Sequence, residues 1–256
     1  KYKSISDGSL TELVVMSSTW KSQKFKFKFF KSLLSGVYYC RDLVNEPANI
    51  LHTIEFAKRL KSLENIGLTV EIIEEKKLKK LGMRALLAVG QGSTYPSKVV
   101  KISWYGSKKE EKPLLLLGKG VVFDSGGISL KPTGGMEEMI MDMGGAAVVA
   151  GTMKTIALRK SSANVVGLIG LVENMPDGNA QRPGDVVQTM KGETVEVINT
   201  DAEGRMVLCD LLWYAQTNCN PRAIIDFATL TGAIIVALGY TNAGVFSNDT
   251  EFCEKF

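Results

Sequence analysis

Apolar and polar positions fall in blocks along this chain, and the period of the pattern changes from block to block. Residues 10–16 read as a short strand. Residues 24–29, Lys-Phe-Lys-Phe-Lys-Phe, alternate charge and ring with the two-residue period of a half-exposed strand. Residues 34–45 have helical spacing and stop before Pro47, as a helix should. Residues 52–63 form a second amphipathic stretch, ending near Gly67. A strand over 68–73, a basic helix over 76–81 and strands over 85–89 and 99–105 follow, the last two flanking a Gly-rich loop with Pro96. Residues 113–117 are almost pure leucine, which implies a strand buried on both faces. A small-residue helix over 144–159, an apolar strand over 164–171 and a strand over 194–198 come next. The pattern then predicts a helix over 202–217, a buried strand over 223–228, a short helix over 232–238 and a last strand over 243–246. Asp249, Thr250 and Glu251 open one more helix, with acids in its first turn. This alternation predicts an α/β fold with a mixed, largely parallel sheet covered by helices on both faces. The tail-like first residues and the helix opening near Phe256 predict a fragment of a longer chain.

Composition narrows the function classes. The chain has 256 residues, 45% hydrophobic and 23% charged, which suits one or two globular domains with ample core. Net charge is +4, and the lysine-rich stretches at 21–31, 76–80 and 108–112 read as solvated faces in preference to a nucleic-acid surface. No apolar run approaches a membrane span. The four cysteines lack metal-site spacing and read as reduced thiols, so a cytoplasmic protein is expected. The single histidine, His52, excludes a zinc site built on several imidazoles. Its position at a helix start reads as structural. Any chemistry is therefore expected from carboxylates, lysine, arginine or a metal.

Three stretches carry such groups. The first, Gly118-Lys119-Gly120-Val121-Val122-Phe123-Asp124-Ser125-Gly126-Gly127, follows the leucine strand. In open α/β sheets ligands bind at the carboxyl ends of strands. Neither a phosphate loop nor GxGxxG is present, and a Lys-Asp ion pair is the plain alternative. The second, Met141-Asp142-Met143-Gly144-Gly145, starts the small-residue helix, where Asp142 could be only an N-cap. The third, Asn199-Thr200-Asp201-Ala202-Glu203-Gly204-Arg205, joins a strand to a helix. Asp201 and Glu203 also suit capping, but Arg205 is a cation where the helix dipole disfavours one. If Asp124, Asp142, Asp201 and Glu203 converge, they cannot all stay ionised without positive partners. Lys119, Lys131 and Arg205 supply some charge, and two divalent cations would supply the rest. An oxygen-rich site suits Mg²⁺ or Mn²⁺, and Zn²⁺ also accepts carboxylates.

These stretches resemble the leucyl aminopeptidase family of metallopeptidases, most specifically in Asn-Thr-Asp-Ala-Glu-Gly-Arg. Supporting matches are Asn45 to Asn49, Glu173 to Pro176, Arg182 to Val186 and Ala228 to Gly232. The resemblance implies a phosphorylase/hydrolase-like catalytic domain that hydrolyses N-terminal, leucine-like residues from peptides. It implies two divalent ions, Mn or Zn, held by Lys119, Asp124, Asp142, Asp201 and Glu203. Asp124 and Glu203 would bridge both ions, Asp201 would complete one site, and Lys119 with Asp142 the other. Lys131 would be the catalytic lysine that polarises the substrate carbonyl, and Arg205 would hold a bicarbonate acting as general base. Met139, Thr229 and Gly232 would line the pocket for the first side chain, and Leu230 would contact the peptide backbone. A homo-hexamer is implied as well. So is a domain plan in which residues 1–33 are the remnant of a smaller N-terminal domain and linker, the last strands of that domain. Residues 34–256 would then be the catalytic domain, lacking a final C-terminal segment that closes the pocket.

Two rivals remain at this level. One is a non-catalytic binding or regulatory protein on the same fold, acting through its lysines on nucleic acid. The other is a structural α/β module whose acids are helix caps, with no bound metal.

Overall fold

The computed structural model describes residues 11–108 and 110–255. Helix α1 (Trp20–Val44) and helix α2 (Thr53–Lys61) precede strand β1 (Thr69–Glu74). Helices α3 (Glu75–Leu81) and α4 (Arg84–Gly90) lead to strands β2 (Lys98–Tyr105) and β3 (Leu114–Asp124). Then come α5 (Gly144–Leu158), β4 (Asn164–Asn174), the short strands β5 (Val186–Gln188) and β6 (Thr194–Glu196), and α6 (Glu203–Cys219). Strand β7 (Ala223–Phe227) and helices α7 (Ala233–Leu238) and α8 (Thr250–Cys253) follow.

The main sheet has the order β1-β2-β4-β3-β7, and β5 with β6 forms a separate hairpin. Strand β3 pairs in parallel with both β4 and β7. Strand β2 runs antiparallel to β4 and to β1. All strands of this sheet but β2 therefore point one way, and the sheet is mixed and mostly parallel. The leucine run explains why β3 lies inside. Leu115, Leu117 and Val121 face a core shared with Leu86 of α4 and Val207 and Leu211 of α6. Leu116 and Val122 face the opposite core, with Phe56 of α2 and Val149 and Met153 of α5. Each buried leucine of this kind stabilises by roughly 1.5–3 kcal/mol. Helix α1 reaches the second core by crossing α5 at a glycine pair. A methyl group on Gly36 would overlap the Gly151 carbonyl oxygen, so only glycine permits this approach.

Several expectations are corrected. Residues 24–29 lie within α1 rather than in a strand. Period-two alternation marks a strand only where a sheet covers one face, and here Phe27 is 68% exposed. A helix satisfies its own backbone groups without such a partner. Phe29 instead lies under the guanidinium of Arg159, 4.1 Å from the ring centroid. Residues 11–16 have no regular structure, and Leu10 is outside the described residues. Residues 85–89 form α4, not a strand. A short, wholly buried apolar run is ambiguous by period, and here the Asp210 carboxylate accepts from the Leu86 N–H at 3.0 Å. Residues 243–246 are irregular and exposed instead of a strand. The strand expected over 194–198 is the short β6, paired with β5, which the pattern missed. His52 caps α2, its Nδ1 accepting from the Glu55 N–H, and stacks on Tyr95 at 4.2 Å, which is the structural role expected of it. Among the described residues no helix is long and apolar enough to cross a membrane.

Candidate metal centre

The site lies where β3 and β4 end side by side. Their register runs from Leu114↔Val165 to Val121↔Val172 and then shifts to Asp124↔Asn174. The extra residue on β3 is a bulge, and a one-residue slip in a strand reverses the face of every residue beyond it. Asp124 thereby joins the side on which Lys119 lies. The chain then turns through Gly126 and Gly127, whose φ values of 88° and 71° disfavour any residue with a Cβ. Asp124 Oδ1 accepts from the Gly126 N–H at 3.0 Å and from Asn174 Nδ2 at 2.8 Å.

Lys119 is 1% exposed, in the middle of the β3 carboxyl half. Its amine donates to Asp142 Oδ1 at 2.7 Å and to the Thr229 carbonyl at 2.8 Å, and it pairs with Glu203 Oε1 at 2.8 Å. Asp142 follows a 3-10 turn, Met136–Met141, and does not cap α5, whose start has no side-chain cap bond. Helix α6 likewise has no side-chain cap, although Asp201 precedes it and Glu203 opens it. The capping alternative therefore fails to describe what these carboxylates do. Thr229, just after β7, donates its hydroxyl to Asp142 Oδ1 at 2.7 Å.

Lys131 stands on the other side of the cluster. Its amine lies 3.0 Å from Asp124 Oδ2 and 2.5 Å from Asp201 Oδ1. Asp124, Asp201 and Glu203 each offer an oxygen within 4.8 Å of the others. At an effective dielectric of about 20, two carboxylates about 5 Å apart repel by roughly 3 kcal/mol, and an ammonium about 2.8 Å from a carboxylate attracts by roughly 6. The two lysines can therefore hold the acids together. Burial alone pulls the Lys119 amine down, but Asp142 and Glu203 outweigh it, so its pKa is raised. Burial also opposes the charge on Lys131, yet Asp201 and Asp124 hold it charged, and its pKa is raised too. Burial pushes the Asp142 carboxyl up to about 7, against the pull of Lys119. Glu203 is raised as well, by burial first and then, against the pull of Lys119, by the charge of Asp124.

The donor set fits a divalent cation. Asp142 Oδ2 is buried and has no hydrogen-bond partner among the described residues, which is costly for a carboxylate oxygen. Four carboxylates against two ammonium groups leave two formal negative charges in excess. Hard oxygens with one amine are ligands that Mn²⁺ and Zn²⁺ accept. Arg205 is exposed on the first turn of α6 and pairs with no carboxylate among the described residues. Met139 is half-buried, and its carbonyl accepts from the Asp142 N–H at 3.4 Å. Leu230 is 47% exposed beside Gly204, and Gly232 precedes α7 with open space around its Cα. Two residues at the cluster escaped sequence reasoning as contributors to it. Asn174 binds Asp124, and Thr200 accepts from the Ser129 N–H at 2.8 Å and donates to the Gly126 carbonyl at 2.6 Å. The one available signal was a polar residue ending an apolar strand, at Asn174.

Comparison with known proteins supplies the family. Residues 38–256 match the family described as "Cytosol aminopeptidase family, catalytic domain". The chain is 67% identical over 225 residues to a probable cytosol aminopeptidase of Cereibacter sphaeroides, covering 88% of this chain and 46% of that protein. It is 58% identical over 254 residues to one of Dinoroseobacter shibae, covering 99% of this chain and 52% of the relative. A third, from Sinorhizobium fredii, is 56% identical over 246 residues, which is 96% of this chain and 50% of the relative. The chain thus spans about half the length of the curated relatives it matches. With its acids and lysines gathered at the ends of parallel strands, the chain belongs to the cytosol aminopeptidase family.

Proposed function

We propose that this chain is the catalytic part of a metal-dependent aminopeptidase that removes N-terminal, leucine-like residues from peptides. The observation that carries this is the convergence of Asp124, Asp142, Asp201 and Glu203 with Lys119 and Lys131 in a chain of that family. Lys119, Asp124, Asp142, Asp201 and Glu203 would hold two divalent ions, Mn or Zn. When bound, such ions supply an ionised water near neutral pH and Lewis acidity toward a carbonyl oxygen. Lys131, kept charged by its carboxylate partners, is suited to donate to the oxyanion that develops on the scissile carbonyl. Arg205, exposed and without a carboxylate partner among the described residues, would hold a bicarbonate as general base. Met139, Thr229 and Gly232 would receive the first side chain, and Leu230 the peptide backbone. The whole protein would act as a homo-hexamer in the cytoplasm.

The test uses the natural full-length protein, its metal content, and release of chromophore from leucine p-nitroanilide with added Mn²⁺. Asp201→Asn is expected to lower turnover by at least about 100-fold, since it removes a charged ligand. Full activity in that variant would sink the site assignment. A protein free of metal and indifferent to chelator would instead favour the non-catalytic rival.

A further inference from the structure

Asn174 is 1% exposed and ends β4 directly beside Asp124. Its side-chain amide does two things at once. Nδ2 donates to Asp124 Oδ1 at 2.8 Å and to the Thr200 carbonyl at 3.1 Å. Its main-chain carbonyl is a third anchor, accepting from the Ser125 N–H at 3.0 Å and from Ser125 Oγ at 2.7 Å. One residue thus ties the end of β3 to the turn that carries Asp201 and Glu203. Those two segments are remote in sequence, and each supplies part of the three-carboxylate cluster. The space for the side chain is made by Gly127, where a methyl group would stand 2.7 Å from Asn174 Oδ1.

We propose that Asn174 is a positioning residue for the metal cluster. Its amide holds Asp124 and the Thr200 carbonyl together, so that the oxygens of Asp124, Asp201 and Glu203 share one cation's reach before any cation binds. Groups that orient metal ligands without touching the metal set affinity in this way, because a misdirected ligand must be reordered on binding. The proposal rests on the metalloenzyme assignment above.

Asn174→Asp keeps the shape and removes the donor, and Asn174→Ser removes the amide without adding charge. Both leave the main-chain bonds to Ser125. Calorimetric titration of the full-length protein with MnCl₂ is expected to show affinity weakened about 10- to 100-fold in both variants. At saturating Mn²⁺ the KM for leucine p-nitroanilide should return to the parent value, since Asn174 is not placed against substrate. Affinity within about twofold of the parent in either folded variant would overturn the proposal. So would loss of affinity in Asn174→Asp alone, which would trace to repulsion between the new carboxylate and Asp124 and not to the lost amide. Failure of both variants to fold would assign Asn174 to the fold and overturn it equally. A parent protein that binds no Mn²⁺ would remove the metalloenzyme assignment itself, an outcome distinct from equal binding by parent and variants.

Discussion

A buried lysine stem lies against a bare backbone in the site. Lys119 passes Gly204 so closely that a methyl group there would sit 2.8 Å from Lys119 Cε and 2.9 Å from Leu230 Cδ1. Leu230 is exposed enough to move, but the lysine amine is held by Asp142, Glu203 and the Thr229 carbonyl. Gly204→Ala should therefore cost about 1–3 kcal/mol of stability through overpacking. It should also displace the amine and weaken Mn²⁺ binding, and urea unfolding with metal titration would measure both. Wild-type stability in that variant would mean the lysine stem can shift without cost. The four acids and two lysines were legible one at a time, because each falls in or beside a polar, Gly-rich stretch that follows an apolar strand or opens a helix. The contacts of Asn174 with Asp124 and of Thr229 with Asp142 were not, because each crosses the fold, over 50 and 87 residues.

Among the elements, helices α1 and α6 each bury a group that must stay neutral. Burial, against the pull of Arg59, pushes the Tyr39 hydroxyl of α1 from its ordinary 10.0 up to about 12. Burial and then the charge of Asp210 push the Cys209 thiol of α6 from 9.0 up to about 12. Both folded-state values lie above the unfolded ones. Their contribution is thus fully present below the ordinary pKa and is lost as pH rises toward the folded value. Stability should fall between about pH 9 and 12, as the unfolded chain ionises first. Tyr39→Phe removes one of these titrations, along with a 3.2 Å hydrogen bond to the Arg59 carbonyl. Urea midpoints at neutral and strongly alkaline pH should then differ less than in the parent, and an unchanged difference would exclude Tyr39 as a cause. Long periodic elements were legible at this scale, as the agreement at α5, α6, β3 and β4 shows. Residues 24–29 and 85–89 were misjudged because short apolar patterns do not reveal whether a sheet or a helix covers them.

For the molecule as a whole, the proposed ligand set draws on β3, the turn before α5 and the start of α6. A cation bound there links segments that separate on unfolding. Mn²⁺ at about 100 times its dissociation constant should therefore stabilise the fold by about 2.7 kcal/mol, read as a rise in Tm that chelator reverses. An unchanged Tm across that range would show that the cluster does not hold the ion.

The order of apolar and polar residues by itself determined the α/β alternation, the two-sided burial of the leucine strand and the identity of the acids and lysines. These depend on local period and on side-chain chemistry, which a chain carries wherever it folds. Only the tertiary structure decided that the acids turn away from capping their helices and meet at one place. It also decided the bulge that brings Asp124 to the side of Lys119, and the amide of Asn174 that joins β3 to the Asp201 turn. Those features arise from strand register and from contacts between distant segments, and no local pattern encodes either. The cluster with which the sequence was most suggestive thus depends on the parallel pairing of β3 with β4, which sets two strand ends side by side, Asp124 against Asn174.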